Sequence, residues 1–214
     1  MIDRENFPSN GPAVFIANHA GSLGPIASVS SIPFRLYPWI VSDMLSPQKS
    51  ADYLRMDYVE KELKLKPPLS IFISRALCRI TVPLLTYFGC IPVHKGIGYQ
   101  EHKNTLIASL RLLKEGKCLL VFPENTDWEK DPVTQIHRFS KSVLWLGDLY
   151  YRETQKPLPF YPVAIHPSRM LKIGQPFEYI PAVLPTYGGK EGLILWLEDL
   201  IKCMYLSLAQ RGNS

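Results

Sequence analysis

Leu112-Leu113-Lys114-Glu115-Gly116-Lys117-Cys118-Leu119-Leu120-Val121-Phe122-Pro123-Glu124 holds the end of a helix, its stop, a strand and a carboxylate beyond the strand. Upstream, Leu106, Leu110 and Leu113, with Ile107 beside them, keep helical spacing between Tyr99 and Glu115. Gly116 supplies the residue that most easily adopts the left-handed conformation closing a helix. Lys117 to Phe122 is then a nearly unbroken apolar run, as expected of a strand covered on both faces.

The same grammar extends in both directions. Ala13-Val14-Phe15-Ile16-Ala17 is a short apolar run between Gly11-Pro12 and Asn18-His19, and it predicts a buried strand ending in a loop. A helix is predicted from about Pro25, a second strand over Pro38 to Ser42, and a polar stretch from Ser46 to Lys66 leading into an apolar helix. Cys90 to Val93 predicts a third strand, Lys141 to Tyr151 a helix, Phe160 to Ile165 another strand and Gly192 to Leu208 a terminal helix. Strands alternating with helices imply an α/β fold with a mostly parallel central sheet flanked by helices. No repeat, low-complexity tract or linker marks a boundary, so one domain over residues 1–214 is expected.

Composition narrows the functional classes. With 214 residues and 46% hydrophobic content the chain can bury one sizeable core. Its 24 basic and 19 acidic side chains leave a net charge of +5, compatible with an anionic lipid surface and without the dense basic clusters of nucleic-acid binders. Cys78, Cys90, Cys118 and Cys203 stand in apolar contexts with no Cys-x-x-Cys pair, which predicts reduced, buried thiols in a cytoplasmic protein and no zinc or disulfide framework. The N-terminus, Met1 to Asn6, lacks the pattern of a signal peptide or anchor.

The most apolar segment, Leu69 to Val93, contains Arg75, Arg79 and Pro83. A central arginine makes bilayer insertion cost roughly 3 kcal/mol even on a lenient scale, so a span is not expected. The two arginines share one helical face, with Ile71, Phe72, Leu77, Ile80 and Leu84 supplying apolar surface. Two readings fit: a helix lying in a membrane interface, or a buried amphipathic helix whose arginines reach solvent.

Three sites follow predicted strands, where open α/β sheets place their ligands. Asn18-His19-Ala20-Gly21-Ser22-Leu23-Gly24-Pro25 offers an imidazole. Phe122-Pro123-Glu124-Asn125-Thr126-Asp127 offers a carboxylate able to accept from a hydroxyl or backbone amides, or to orient a histidine; read alone, it is also a good turn. Gly89-Cys90-Ile91-Pro92-Val93-His94-Lys95-Gly96 sets a cation beside glycines that permit close approach of an anion.

These three sites, in this order and with Phe160-Tyr161-Pro162-Val163-Ala164-Ile165 downstream, resemble the glycerol-phosphate (lysophosphatidic acid) acyltransferase family. Its four blocks are Asn-His-x4-Asp, Gly-x-Ile-x-x-x-Arg, Phe-Pro-Glu-Gly-Thr-Arg-Ser and a strand shaped like Val-Pro-Val. The likeness spans roughly residues 11 to 175, and the third block is its most specific part. The resemblance implies acyl transfer from acyl-CoA or acyl carrier protein to a lysolipid or other lipid-like acceptor, peripherally at the inner face of a membrane. It implies His19 as general base and a substrate-binding set of Lys95, Glu124, Asn125, Thr126, Asn18 and Ser22. Such chemistry needs a placed base and a stabilised oxyanion, and the resemblance implies no metal or other cofactor.

Three positions depart from the family pattern. Gly24 stands where the family has the Asp that orients the imidazole, Asn125 where it has Gly, and Asp127 where it has a phosphate-holding Arg. A carboxylate at 127 repels phosphate, which turns the expectation away from a glycerol-phosphate acceptor. Another carboxylate (Asp43, Glu124 or Asp127) serves His19, or His19 acts unaided, or the chain binds lipid without turnover. A third class, a serine hydrolase using Ser22 within Ala20-Gly21-Ser22-Leu23-Gly24, has too few strands before the nucleophile and alanine at the first glycine position. The spacings of nucleotide loops, dinucleotide fingerprints and zinc proteases do not occur.

Overall fold

The computed structural model describes residues 2–8, 10–20, 31–94, 99–168 and 170–212. Its packing divides the chain into two units, Met1–Leu36 with Ser109–Ser214, and Tyr37–Ala108.

The first unit is built on β1 (Ala13–Ala17), whose five residues are all buried. β1 lies between two parallel neighbours, β4 (Cys118–Val121) and β5 (Leu158–Ile165), with Ala13 opposite Cys118 and Ala17 opposite Val163. This is why all three strands read as unbroken apolar runs: a central parallel strand has no solvent face on which to alternate. β6 (Leu171–Ile173) and β7 (Phe177–Tyr179) both pair antiparallel with β5, so the sheet is mixed, with its parallel part at the centre. One sheet face carries a cluster that includes Phe15, Leu120, Tyr161, Val163 and Ile173. On β5 also packs α5 (Gly189–Gly212), burying Leu193, Leu197, Ile201, Met204 and Leu208 at helical spacing. α4 (Leu144–Thr154) follows a 3-10 turn at Lys141–Val143.

The second unit contains β2 (Leu36–Val41) for all but its first residue, and β3 (Ile91–Val93), paired in parallel with Trp39 opposite Ile91. Its helices are α1 (Pro47–Leu54), continued by a π-helical turn over Arg55–Glu60, and α2 (Leu69–Phe88). α3 (Tyr99–Lys114) crosses the division between the units.

The parallel α/β reading therefore holds, with differences of detail. The polar stretch from Ser46 to Lys66 is mostly helical; Pro47 at a first helical position was its signal. β6 and β7 escape periodicity because three residues, with Lys172 or Glu178 in the middle, are too few to show it. The helix predicted from Pro25 falls largely on residues 21–30, outside the described residues. All four cysteines are free; Cys78 and Cys118 are buried as expected, but Cys90 is only half-buried and Cys203 is exposed. Burial pushes the Cys90 thiol up to about 11 and raises Cys118 as well, so neither is a ready thiolate.

α3 ends as its sequence predicts. Gly116 has φ +74°, its N–H donates to Leu113 O (3.0 Å), and the Lys117 N–H donates to Leu112 O (2.9 Å), a Schellman closure. Gly11 packs against this turn: a Cβ on it would stand 2.1 Å from the Gly116 carbonyl oxygen. Gly11→Ala must push backbone from backbone, and is expected to cost roughly 1–3 kcal/mol. Thermal unfolding should then fall by roughly 2–12 °C for a chain of this size. An unchanged midpoint would contradict this packing.

Candidate functional site

The carboxyl ends of β1 and β4 bring two of the three sequence-predicted sites together. The register that pairs Ile16 with Val121, continued past the strands, sets His19 level with Glu124. There the Glu124 carboxylate joins the loops: Oε1 accepts the backbone N–H of His19, and Oε2 accepts that of His137 (2.9 Å). A carboxylate between two amide dipoles at a strand end locks the main chain that carries the imidazole. The His19 ring itself stands edge-on to Phe122, with centroids 5.2 Å apart.

Asn18 is only 2% exposed. Its Nδ2 donates to Ile165 O (3.0 Å) and its Oδ1 accepts the Ile165 N–H (2.7 Å). The side chain thereby extends the β1–β5 pairing past the end of β1 and directs the chain into His19. Asn18→Ala strips a buried N–H and a buried C=O of their partners. It is expected to destabilise the protein by about 2–4 kcal/mol, measured by denaturant unfolding; a loss below about 0.5 kcal/mol would be that of an ordinary surface change.

Beyond Glu124 the chain makes a hairpin-like excursion. Glu124 bridges Phe139 in antiparallel fashion, Asn125 N–H donates to Arg138 O (3.0 Å), and Ser140 N–H donates to Pro123 O (2.8 Å). Asn125 Oδ1 accepts the Asp127 N–H (3.1 Å), so the Asn125 side chain closes an Asx turn. Thr126 and Asp127 are exposed on that turn. The far end is pinned by Asp131, whose Oδ1 accepts from Thr134 N–H (2.8 Å), Thr134 Oγ1 (3.0 Å) and Val133 N–H (3.0 Å). The Thr134 amide leads the causes that hold this carboxyl below its usual range. Buried Glu198 of α5 accepts the Phe139 N–H through Oε2 (2.8 Å) and pairs with Lys202 (2.6 Å). The excursion is thus tied to the helix behind it.

His137 is the residue that the sequence did not single out. Its ring Nδ1 lies 2.8 Å from Trp128 O. A carbonyl can only accept, so Nδ1 carries a proton in this contact and does not serve as an acceptor. Its signal was hidden, because Asn125 to Phe139 reads as turn residues and its bridges are isolated pairs rather than strands.

Ser22, Gly24 and Lys95 lie outside the described residues. Asp43, in the second unit, pairs with Lys49 (3.2 Å). Two open depressions at the surface, one lined by Phe7, Asn10, Tyr161 and Pro176 and the other by Lys172, Phe177, Trp196 and Met204, contain neither His19 nor Glu124. Among the described residues no group of three metal-ligating side chains forms.

Comparison with protein-family models, with curated proteins and with solved structures gives no match in any of the three, so the resemblance rests on the quoted motifs alone.

Proposed function

We propose that this chain is a glycerolipid acyltransferase-like domain that moves a fatty acyl group from a thioester, acyl-CoA or an acyl carrier protein, to a hydroxyl or amine of a lipid-like acceptor. The observation that carries the reading is the junction of Asn18-His19 with Phe122-Pro123-Glu124 at the carboxyl ends of adjacent parallel strands, made by the Glu124 carboxylate on the His19 main chain. Two motifs about a hundred residues apart meet where such folds do chemistry.

In this mechanism the His19 imidazole takes the proton of the acceptor hydroxyl as its oxygen attacks the thioester carbonyl carbon. The C–O bond forms, negative charge develops on the carbonyl oxygen, and the C–S bond breaks. The departing sulfur takes the proton from the imidazolium, so the base is regenerated without a redox partner. Glu124 and Asn18 act as positioning residues through the backbone. Asn125, Thr126 and Ser22 are the other substrate-binding residues of this reading, Lys95 is assigned an anion-contacting role by the resemblance alone, and the setting is peripheral, on the cytoplasmic face of a membrane.

The second reading, a lipid-binding relative without turnover, is favoured by one feature: Gly24 leaves no carboxylate at the position that orients the family's histidine. Release of free thiol from long-chain acyl-CoA, followed with a panel of lysolipid, alcohol and amine acceptors, separates the two. Acceptor-dependent release supports transfer. Acyl-chain binding with no release for any acceptor supports the second reading.

A further inference from the structure

α2 is built inside out. Its residues at i, i+4 and i+8 that face the unit are Ser70, Ser74 and Cys78, all buried. Ser70 Oγ donates to Glu60 Oε1 (2.8 Å) and Cys78 Sγ donates to Pro47 O (3.5 Å). The large apolar side chains point the other way: Phe72 is 74% exposed, Ile80 67% and Tyr87 78%, with Leu69 and Leu84 also exposed. At about 100° per residue, these five fall within about a third of the helix circumference, and Arg75 and Arg79 flank that sector on one side. A helix of a water-soluble surface carries the opposite arrangement, because exposed apolar area gains nothing from water.

The charge around this face selects its occupant. α2 contains no acidic residue, and residues 61–88 carry Lys61, Lys64, Lys66, Arg75 and Arg79 against Glu62 alone. The three lysines are exposed in the segment just before the helix, together with Leu63. Half of the large apolar side chains exposed among the described residues lie between Met56 and Tyr87. Apolar side chains bordered on one side by two arginines, over a helix roughly 30 Å long preceded by three exposed lysines, match a lipid leaflet with anionic headgroups, where acyl chains take the apolar sector and phosphates take the arginines.

Length and composition alone would let α2 cross a bilayer. Its arginines and its polar, hydrogen-bonded underside say otherwise: inserting it would strip Ser70 from Glu60 and carry two guanidiniums into hydrocarbon.

We infer that the outward face of α2, centred on Phe72, Ile80 and Tyr87 and flanked by Arg75 and Arg79, docks this protein flat on an anionic membrane surface. The inference stands apart from acyl transfer. It locates a surface on the second unit and holds whether or not His19 is a catalyst.

The test is co-sedimentation of the full chain with vesicles of phosphatidylcholine containing 30–40%, roughly a third, phosphatidylglycerol, beside pure phosphatidylcholine vesicles, for wild type, Ile80→Glu and the double variant Arg75→Gln/Arg79→Gln. Wild type should sediment with the anionic vesicles and be released by salt. Ile80→Glu should bind at least about tenfold more weakly, and the double variant about 25-fold more weakly, near fivefold for each arginine removed. Both variants alter exposed side chains, so circular dichroism and melting should stay as in wild type. No sedimentation of wild type at low salt, or binding unaffected by either variant, overturns the inference. So does a wild-type dimer that Ile80→Glu dissociates, since the occupant would then be a second copy, and so does resistance of membrane-bound protein to alkaline carbonate, which would mean a spanning helix. Thiol release is scored separately, so loss of activity with intact vesicle binding counts against the proposed reaction alone.

Discussion

His19→Ala is expected to lower acceptor-dependent thiol release by about two to four orders of magnitude, the range that a positioned general base contributes. The loss should fall on kcat, because the imidazole acts as the acceptor oxygen attacks and adds little to ground-state binding. The fold should survive the change, since the ring is exposed and its main-chain N–H, which alanine keeps, is the group that Glu124 holds. A melting point within about 2 °C of wild type, about what a change of half a kcal/mol produces in a chain this long, therefore accompanies the predicted loss. If His19→Ala turns over like wild type, the base lies elsewhere, and His137 is the next imidazole along the same carboxylate.

Glu124→Ala should act on both stability and rate. Its carboxylate is the shared acceptor for the N–H groups of His19 and His137, and no single water replaces two charge-assisted contacts in that geometry. Each such bond contributes about 1.5–3 kcal/mol, discounted here because Glu124 is only half-buried. A loss of about 2–4 kcal/mol, seen as a fall in melting temperature of roughly 4–15 °C, is the expected result. Freed main chain at His19 displaces the imidazole, and a shift near an ångström costs on the order of a hundredfold in rate. Glu124→Gln keeps one carbonyl oxygen but turns an N–H donor toward the other amide, so it should fall between alanine and wild type. Were Glu124→Ala to leave both stability and rate unchanged, the junction between the two loops would have no role.

The elements legible in the sequence are those in which burial alone sets the pattern. β1, β4 and β5 are covered on both faces, and an unbroken apolar run has one reading when Gly116 and the turn after Phe122 bound it. The sequence offers Glu124 as one of three carboxylates able to serve His19, whereas the contact it makes is with the His19 main-chain N–H. Sequence spacing shows which strands end in chemistry-bearing loops; it does not show that the carboxylate would turn to main-chain amides. In sequence Asn125 and Asp127 read as departures from a phosphate-holding motif; in the structure Asn125 Oδ1 accepts the Asp127 N–H in the Asx turn that launches the excursion. The role of His137 depends on contacts with Trp128 and Glu124, nine and thirteen residues away, in a stretch with no periodicity.

α2 illustrates the opposite limit. Its sequence admitted either a buried amphipathic helix or an interfacial one, because Ser, Cys and Leu are all compatible with burial in a helix–helix contact. The packing of Ser70, Ser74 and Cys78 inward leaves Phe72, Ile80 and Tyr87 outside, which a helix buried on its apolar face would not do; that this face meets a membrane is our inference. The arginines at 75 and 79 are exposed in both cases and carried no weight in that choice.

The most direct test of acyl transfer is to incubate the full-length protein with long-chain acyl-CoA and a lysolipid, and to analyse the lipid extract by mass spectrometry beside a His19→Ala reaction. The account predicts a new species heavier than the acceptor by one acyl group, formed in step with free coenzyme A and absent with His19→Ala. Equal coenzyme A release by both proteins, or no acylated species across lysolipid, alcohol and amine acceptors, would contradict it.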